Sequence, residues 1–272
     1  MKHDTVLITG ASSGLGRSLA LTLARPGRTL HLGGRNQDRL HAVAQHCISH
    51  GAAVDVAAHD VADRTAMAHW VKSTGTLDMV LACAGITGGT RAPTTPDSPP
   101  YEPDAQVYRF FQTNLEGVLN TILPALEVMR GQPRGADGMR GRICAISSVA
   151  GLVSYPGTPS YGAAKAAVDR FMVATGGNTK KAGILLSSVV CGFLNTPMTA
   201  KNRFPMPGMT DVDNASRRIL RGLKRNERRI VFPLWLAAGS RFMDLLPIKL
   251  AEAYYTNQPT GAAGSMPEPD LS

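Results

Sequence analysis

The sequence contains few cysteines, and their spacing is unlike that of a metal site or a disulfide-rich domain. Only Cys47, Cys83, Cys144 and Cys191 occur among 272 residues, and no two of them form a CxxC pair. This excludes a secreted disulfide scaffold and a structural zinc site as the basis of the fold, and we expect no metal. Reduced thiols are typical of the cytoplasm, which is the location we expect.

Long uncharged apolar runs are also missing. No window reaches the roughly 18 apolar residues that a membrane span needs. The first ten residues, MKHDTVLITG, lead straight into a strand-like segment and lack the pattern of a signal peptide. Hydrophobic residues make up 43% of the chain and charged residues 18%, as in an ordinary globular protein.

Acidic residues are fewer than basic residues, and the formal net charge is +9. Such a charge suits nucleic acid, an anionic cofactor or a membrane surface. The densest basic run is RRILRGLKRNERR (217–229), which holds seven basic residues and Glu227. We interpret it as a solvated helix face. Because no nucleic-acid-binding motif accompanies it, we do not expect nucleic acid as a partner.

Short apolar runs alternate with longer segments of helical pattern. Continuous apolar strands separated by helices predict an α/β fold of Rossmann type: a doubly wound parallel sheet of about seven strands with helices on both faces. We predict strands at 5–9, 29–33, 53–58, 77–83, 142–147, 184–190 and 229–232. We predict helices at 14–25, 37–50, 63–74, 104–130, 160–181 and 211–225.

The domain organisation follows from the absence of an internal repeat or a mid-chain linker. Residues 1–257 are expected to form a single domain, which includes a lid over the substrate at about 192–210. The tail 258–272 is expected to be disordered because it has little apolar content. Proline-rich residues 90–103 predict an irregular loop, and residues 131–141 a flexible connection.

A glycine-bearing turn, TGASSGLG (9–16), follows the first strand and opens the first helix. Glycines allow a pyrophosphate to approach the backbone, and the N–H groups at a helix N-terminus favour its negative charge. The turn therefore predicts a dinucleotide site. Its candidate cofactor-binding residues are Gly10, Ser12, Ser13, Gly14, Leu15 and Gly16.

No acidic residue occurs between positions 28 and 37, at the end of the second strand, where it would bind the ribose hydroxyls of NAD. Arg35 lies there instead, and a guanidinium suits a 2′-phosphate. We therefore expect NADP(H) as the preferred cofactor, with NAD(H) possible. Asp60, at the end of the third strand, is a candidate for the adenine edge.

The segment SYGAAKAAVDR (160–170) places Tyr161 four residues before Lys165, on one face of a predicted helix. Taken alone, the pair is explained by coincidence, because tyrosine and lysine are both common in helices. Other motifs stand in order before it, namely CAG (83–85), TNLEG (113–117) and ISSVAG (146–151). With the glycine turn and the YxxxK spacing, the sequence resembles the short-chain dehydrogenase/reductase family over roughly residues 4 to 232.

The resemblance implies roles for individual residues. Tyr161 would be the general acid/base, Lys165 would lower its pKa and bind the nicotinamide ribose, Ser148 would hold the substrate oxygen, and Asn114 would position a water. It also implies a homodimer or homotetramer. The further cofactor-binding residues that it implies are Asp60, Val61, Ala84, Gly85, Tyr161, Lys165 and Thr196.

The sequence departs from the family pattern at three places. Ala82 and Cys83 replace two asparagines of the usual NNAG motif, and Cys191 replaces a proline before the lid. Gly176 and Gly177 lie inside the helix after Tyr161, at a cost of about 1 kcal/mol each relative to alanine. Because that helix often forms the dimer face in the family, these glycines argue against the usual interface.

The leading hypothesis is an oxidoreductase that interconverts a carbonyl and an alcohol. The apolar lid, with Phe193, Leu194 and Met198, suits an apolar substrate, although core packing explains some of these residues equally well. Two alternatives remain: a non-catalytic cofactor-binding regulatory protein, and a nucleotide-sugar epimerase or dehydratase. Residues 232–255 are expected to fold onto the subunit or a partner subunit rather than onto a membrane.

Overall fold

The computed structural model describes residues 5–88, 101–200, 202 and 205–255. The predicted tail 258–272 lies outside the described residues, as does most of the predicted loop 90–103. Within the described part, alternating strands and helices form one α/β unit.

The centre of the fold is a seven-stranded sheet in which every pairing is parallel. Its order is β3-β2-β1-β4-β5-β6-β9, so the chain winds outward from β1 in one direction and then from β4 in the other. A separate pair of two-residue strands, β7 and β8, joins the two ends of the lid segment. The strands are β1 Thr5–Thr9, β2 Thr29–Gly34, β3 Ala53–Ala58, β4 Met79–Ala82, β5 Gly141–Ser148, β6 Ile184–Cys191, β7 Leu194–Asn195, β8 Thr210–Asp211 and β9 Arg229–Phe232.

Helices cover both faces of this sheet. A π-helical turn, Gln112–Glu116, joins α4 to α5 without a break, and a 3-10 turn, Val149–Leu152, follows β5. The helices are α1 Gly14–Leu23, α2 Gln37–Ser49, α3 Arg64–Ser73, α4 Asp104–Phe111, α5 Gly117–Gly131, α6 Pro159–Lys181, α7 Val212–Lys224, α8 Leu234–Asp244 and α9 Ile248–Tyr255.

The core lies in two layers because successive strand residues point to opposite faces. In β1, Val6 and Ile8 pack towards α1, α2 and α7. Leu7, between them, packs towards α3, α5 and α6. All three side chains are fully buried, which explains why the strands read as continuous apolar runs in the sequence.

A buried ion pair ties α6 to the edge strand β9. Asp169 is 2% exposed, and its carboxylate accepts hydrogen bonds from the guanidinium of Arg229 and from the Ser188 hydroxyl. Arg229 belongs to the basic run at 217–229, so this run is only partly a solvated face. Its solvated part is α7, where Arg217, Arg218, Arg221 and Lys224 are exposed.

The predicted sheet and the predicted helix at 160–181 are confirmed, and the structure differs from prediction in two details. The helix predicted at 104–130 contains the π-helical turn, which periodicity does not distinguish from an α-helix. The pairing of β7 with β8 was not predicted, since two residues carry no periodic pattern. Helix α6 runs unbroken through Gly176 and Gly177, and its 23 residues are held by packing on β5 and β6.

Candidate active site

The candidate site lies at the carboxyl edge of the parallel sheet, where β1, β4, β5 and β6 all end. Loops that leave these neighbouring strands meet at one edge, and in doubly wound sheets ligands bind there. The glycine turn follows β1, residues 83–88 follow β4, Ser148 ends β5 and Cys191 ends β6.

The glycine turn brings two backbone segments into direct contact. A side chain on these glycines would keep the two segments apart. Gly10 has a φ of +67°, and a Cβ there would lie 2.8 Å from the backbone N of Ala84. A Cβ on Gly16 would lie 2.3 Å from the Gly10 carbonyl oxygen. The turn is further fixed by the Thr9 hydroxyl, which accepts hydrogen bonds from the backbone N–H groups of Cys83 and Ala84 at 3.2 and 3.3 Å.

The N-terminus of α1 opens onto the same space. Ser13 occupies the N-cap position in an extended conformation, and its side chain makes no capping hydrogen bond to the helix. The first-turn N–H groups are thus left for an anion. Gly14 begins the helix at a φ of +51°, and a Cβ there would lie 3.3 Å from the Thr196 methyl carbon. Thr196, in the segment predicted to form the lid, therefore borders the start of α1, and its role in binding the cofactor stays a prediction.

Arg35 and Asp60 lie side by side at the ends of β2 and β3. The guanidinium and carboxylate are 3.8 Å apart, and the two side chains are 51% and 46% exposed. Asp60 also accepts a hydrogen bond from the Ala62 N–H at 3.0 Å. The next residue, Val61, turns its side chain into the core, since a Cβ on Gly117 would lie 2.4 Å from it. Only the backbone of Val61 is therefore placed to face a cofactor.

Tyr161 and Ser148 form the centre of the site. Ser148 ends β5, Tyr161 lies in the first turn of α6, and the Ser148 side chain is close enough to the Tyr161 hydroxyl to influence its pKa. The Ser148 hydroxyl oxygen also accepts a hydrogen bond from the Ala150 N–H at 3.2 Å. Two hydroxyl groups thus converge where a substrate oxygen would be held.

Lys165 lies one helical turn after Tyr161 and is 4% exposed. Its Nζ donates a hydrogen bond to the Ile146 carbonyl oxygen at 2.9 Å and lies 5.7 Å from the centroid of the Tyr161 ring. Burial lowers the pKa of Lys165 to about 8, because the ammonium form loses its hydration.

The expectation that Lys165, together with the positively charged nicotinamide of the oxidised cofactor, lowers the pKa of Tyr161 stays a prediction. Tyr161 is partly buried, and the loss of solvent around its hydroxyl raises its pKa to about 12. The Ser148 side chain opposes this shift but is the smaller effect. The Lys165 ammonium donates to the Ile146 carbonyl oxygen, and burial is the largest influence on the phenol. In this state the phenol holds its proton at neutral pH.

Asn114 is fully buried in the π-helical turn. Its side chain accepts a hydrogen bond from the Ile86 N–H and donates one to the Ile86 carbonyl oxygen, both at 3.0 Å. The side chain therefore satisfies a buried backbone segment, and a role for Asn114 in positioning water stays a prediction. A Cβ on Gly85 would lie 2.9 Å from the Asn114 Oδ1 and 3.4 Å from the Lys165 Nζ, so these three residues meet at one point.

Two thiols lie close to Lys165 and a third, Cys144, lies near them, an arrangement that sequence spacing did not reveal. Cys83 and Cys191 are close enough to Lys165 to interact with it electrostatically. Burial raises the pKa of Cys83 to about 12 and that of Cys191 to about 11, and it raises the pKa of Cys144 well above its usual range. The thiols are therefore neutral. Within the described residues, no group of three or more His, Cys, Asp or Glu side chains is arranged to hold a metal.

A further residue that the sequence did not indicate is Glu102, which is 5% exposed. One carboxylate oxygen accepts a hydrogen bond from the backbone N–H of Ser160 at 2.9 Å, and the other accepts one from the Gln106 amide at 3.0 Å. Glu102 thus contacts the turn of α6 that carries Tyr161. Ser160 lies 58 positions after Glu102 in the sequence, and Gln106 lies 4 positions after it. Only the separation of 4 can be recognised in the sequence, as the spacing of one helical turn.

Comparison with known proteins supports what this geometry indicates. The family model described as short chain dehydrogenase matches residues 4–206, which is most of the chain. The chain belongs to the short-chain dehydrogenase/reductase family. It is an oxidoreductase of that family, whose members act on CH–OH or carbonyl groups and use NAD(P).

Two relatives and one solved structure illustrate the similarity. An uncharacterized oxidoreductase from Myxococcus xanthus (strain DK1622) is 32% identical over 257 residues, which cover 93% of this chain and 96% of that protein. Sulfoacetaldehyde reductase 2 from Chromohalobacter salexigens is 31% identical over 198 residues, or 72% of this chain and 75% of that protein. A short-chain type dehydrogenase/reductase from Mycobacterium marinum has the same fold, with a TM-score of 0.70, 24% identity and coverage of 84% and 93%.

The residues of this short-chain dehydrogenase/reductase fit a dinucleotide cofactor. Gly10 and Gly16 let the backbone of the turn pack directly on Ala84 and on itself, where a side chain would clash, and this packing holds the turn against the N-terminus of α1. The uncapped N-terminus of α1 supplies N–H donors for a pyrophosphate, and Arg35 and Asp60 lie beyond it at the ends of β2 and β3. Among the helices that the structure describes, none is long and apolar enough to cross a membrane.

Proposed function

We propose that this protein is an NADP(H)-dependent oxidoreductase that interconverts a ketone or aldehyde and the corresponding alcohol, with Tyr161 as the general acid/base. The observation that carries the proposal is the proximity of the Tyr161 and Ser148 side chains, close enough for Ser148 to influence the pKa of the Tyr161 hydroxyl, with the buried Lys165 one helical turn away. A cofactor-binding regulatory protein has no use for two hydroxyl groups that converge at the cofactor site.

The cofactor supplies the hydride, or accepts it in the reverse direction. In the reducing direction the Tyr161 hydroxyl donates its proton to the carbonyl oxygen, and Ser148 donates a second hydrogen bond to the same oxygen. A phenol that holds its proton at neutral pH is suited to this step. In the oxidising direction Tyr161 must first be present as the phenolate, which then accepts the proton from the alcohol, and the raised pKa of Tyr161 disfavours formation of that phenolate in the state described here.

Lys165 has two roles in this proposal. Its ammonium group, anchored to the Ile146 carbonyl, binds the ribose hydroxyls next to the nicotinamide. A positive charge at this position also stabilises the Tyr161 phenolate as it forms. Asn114 holds the backbone around Ile86 and Gly85, and thereby the space beside the Lys165 Nζ.

The preference for NADP(H) rests on Arg35, because no acidic residue lies between positions 28 and 37. The guanidinium is half exposed and 3.8 Å from Asp60, so it is accessible to a 2′-phosphate. Apolar lid residues support an apolar substrate, with Met198 41% and Met209 42% exposed. The same proposal includes a homo-oligomeric protein in the cytoplasm, where its four free cysteines stay reduced.

The test begins with the nicotinamide fluorescence of NADPH and NADH during titration with purified protein, followed by turnover of a panel of apolar ketones and aldehydes. We expect tighter binding of NADPH and consumption of at least one carbonyl compound. Tyr161→Phe should bind NADPH as the wild type does and lose turnover by about 10²- to 10⁴-fold.

Tyr108→Phe is the matched control, because this tyrosine is 71% exposed on α4 and should leave turnover unchanged. Wild-type turnover in Tyr161→Phe would contradict the assignment of the acid/base. Binding of neither nucleotide would contradict the proposal as a whole.

A further inference from the structure

A cavity of about 460 Å³ lies at the amino edge of the parallel sheet, the edge opposite the candidate active site. Helices α1 and α7 both end there, because each helix that connects parallel strands runs back along the sheet to the edge where the next strand begins. Of the lining residues, Leu23 ends α1, Lys224 ends α7 and Met79 begins β4. The cavity is therefore separate from the edge that carries the glycine turn and Tyr161.

Three apolar side chains line the inner part of the cavity, and we call them the apolar floor. Leu23 is 6% exposed and Met79 is fully buried, and both belong to the core layer under α1, α2 and α7. Leu220 is partly buried and packs against the same layer. An apolar group that lies on this floor would be removed from water next to the core, which is favourable.

The other four residues that line the cavity are basic, namely Arg25, Arg28, Arg221 and Lys224. Arg28 is 7% exposed, and its Nη1 donates a hydrogen bond to the Leu23 carbonyl oxygen at 2.8 Å. The other three side chains are exposed, and they form no ion pair or hydrogen bond with any residue that the structure describes. None of the described residues that line the cavity is acidic.

The acidic residues nearest to these positions in the sequence contact other groups. Asp78 precedes Met79, and its carboxylate accepts a hydrogen bond from the Thr5 N–H at 3.0 Å. The Glu227 carboxylate lies 4.0 Å from the Arg225 guanidinium. Three positive charges thus border one cavity without a counter-ion from the described part of the chain. Their mutual repulsion is relieved when an anion lies between them.

The helix dipole offers a simpler reason for basic residues at the ends of α1 and α7, since a helix C-terminus attracts positive charge. This reason accounts for the sign of the charges and for the bond from Arg28 to a carbonyl at the end of α1. It does not account for their position, because exposed side chains at two helix ends need not border one cavity with an apolar floor. That convergence is what indicates a ligand.

We propose that this cavity binds a small organic phosphate, with the phosphate group between Arg25, Arg221 and Lys224 and the carbon part on the apolar floor. Three positive charges suit a dianion, and arginine forms paired hydrogen bonds with phosphate oxygens. The volume of about 460 Å³ is typical of sites for small molecules.

The proposal also gives a role to part of the basic run at 217–229, which contains Arg221 and Lys224. Nucleic acid would require an extended basic surface along its backbone, whereas these charges surround a concave site with an apolar floor. The proposed site lies outside the reaction centre and does not depend on the reaction that the protein catalyses.

The experiment is isothermal titration calorimetry of the full chain with phenyl phosphate at low ionic strength, with and without saturating NADPH. Phenyl phosphate combines a phosphate dianion with an apolar ring, and inorganic phosphate lacks the ring. We expect phenyl phosphate to bind with the same affinity whether or not NADPH is present. Because the ring is buried on the apolar floor, phenyl phosphate should bind at least about 10-fold more tightly than inorganic phosphate.

Two double variants locate the binding. Arg221→Gln combined with Lys224→Gln should weaken binding of phenyl phosphate about 10- to 100-fold, because each side chain supplies a charged hydrogen-bond donor. Arg217→Gln combined with Arg225→Gln is the matched control. It removes two positive charges from α7 and its C-cap at positions that do not line the cavity, and it should leave the affinity unchanged. Far-UV circular dichroism confirms that both variants fold.

The proposal fails if phenyl phosphate produces no heat of binding, or if NADPH displaces it, which would assign it to the dinucleotide site. It also fails if both double variants lose the same affinity, which would indicate a general attraction to the charge of α7. Equal affinities for phenyl phosphate and inorganic phosphate would exclude a role of the apolar floor and thereby an organic ligand. Turnover is not measured, so failure here leaves the proposed reaction unaffected.

Discussion

The carboxylate of Glu102 accepts a hydrogen bond from the backbone N–H of Ser160, the residue immediately before Tyr161, at a distance of 2.9 Å. Thr158, at the N-cap position of α6, makes no side-chain capping bond. Glu102 therefore supplies the cap from a distant part of the chain. Its negative charge also lies at the positive end of the helix dipole.

Replacing Glu102 should affect catalysis more than cofactor binding. Glu102→Ala removes the cap, which costs about 0.5–2 kcal/mol of stability, and frees the first turn of α6 to move. We expect kcat to fall about 10-fold or more, with the KM for NADPH within about twofold of the wild type. Glu102→Gln retains one acceptor oxygen for Ser160 and should recover most of the lost kcat.

The measurement for Glu102 combines steady-state kinetics with hydrogen exchange of the peptide that spans residues 155–165. Exchange should be faster in Glu102→Ala whether or not a substrate has been found. Asp104→Ala, an exposed neighbour at the start of α4, serves as the control. An unchanged kcat in Glu102→Ala would show that the cap does not position Tyr161.

Some residues of the site could be predicted from the sequence, and others could not. Tyr161 and Lys165 lie four positions apart on one helix, and Gly10, Gly14 and Gly16 follow a strand directly, so local spacing was enough to predict them. Helix capping by Glu102 and the approach of Cys83 and Cys191 to Lys165 depend on which loops meet at the sheet edge. No local pattern encodes such contacts between distant segments.

The same distinction holds for the fold. The bounds of β1, β3 and β9 agree with prediction, since each is an apolar run with a clear turn on either side. The pairing of Leu194–Asn195 with Thr210–Asp211 was missed, because it depends on how the lid closes on itself. The raised pKa of Tyr161 was also missed, since burial of a hydroxyl is a property of the assembled site.

Burial of the Lys165 charge destabilises the folded protein in a pH-dependent way. The pKa of Lys165 falls from 10.5 to about 8 on folding, which corresponds to about 3 kcal/mol. Below pH 8 the lysine is charged in both states, and the full cost is present. Between pH 8 and 10.5 the folded state has lost the proton that the unfolded state still binds, so the contribution of Lys165 to stability rises with pH.

The variant Lys165→Met should therefore be more stable than the wild type at pH 7, by up to about 3 kcal/mol. This advantage should shrink steadily as the pH rises from 8 to 10.5. Urea denaturation of both proteins at several pH values measures the difference and cancels the titration of the other groups. A difference that is constant with pH would show that Lys165 does not titrate in this range.

The buried Asp169 should matter for stability and not for the reaction. Its carboxylate pairs with Arg229 and accepts a hydrogen bond from Ser188 at 2.7 Å. Asp169→Asn leaves the guanidinium without its counter-ion. Because the Arg229 side chain is 29% exposed, we expect a cost below the roughly 3–5 kcal/mol of breaking a fully buried pair. We expect a lower urea midpoint with an unchanged KM for NADPH. The exposed pair of Lys72 and Glu127, 2.7 Å apart, is the control, since exposed ion pairs contribute little and Glu127→Gln should leave the urea midpoint nearly unchanged.

Arg35 and Asp60 offer a test of cofactor selection. Their ion pair is exposed and 3.8 Å long, and pairs of this kind contribute little to stability. The guanidinium can therefore leave Asp60 for a 2′-phosphate at small cost. A hydrogen bond to a charged group contributes about 1.5–3 kcal/mol, so Arg35→Ala should weaken NADPH binding about 10- to 100-fold and leave NADH binding unchanged.

Asp60→Asn separates the role of Arg35 from that of the ion pair. Removing the negative charge leaves the guanidinium with one partner fewer and relieves repulsion of the phosphate, so NADPH binding should stay equal or improve slightly. The comparison uses fluorescence titration at one ionic strength. It measures the affinity of the wild type, Arg35→Ala and Asp60→Asn for NADPH and for NADH. Equal losses for NADPH and NADH in Arg35→Ala would mean that the arginine supports the loop after β2 and does not select the 2′-phosphate.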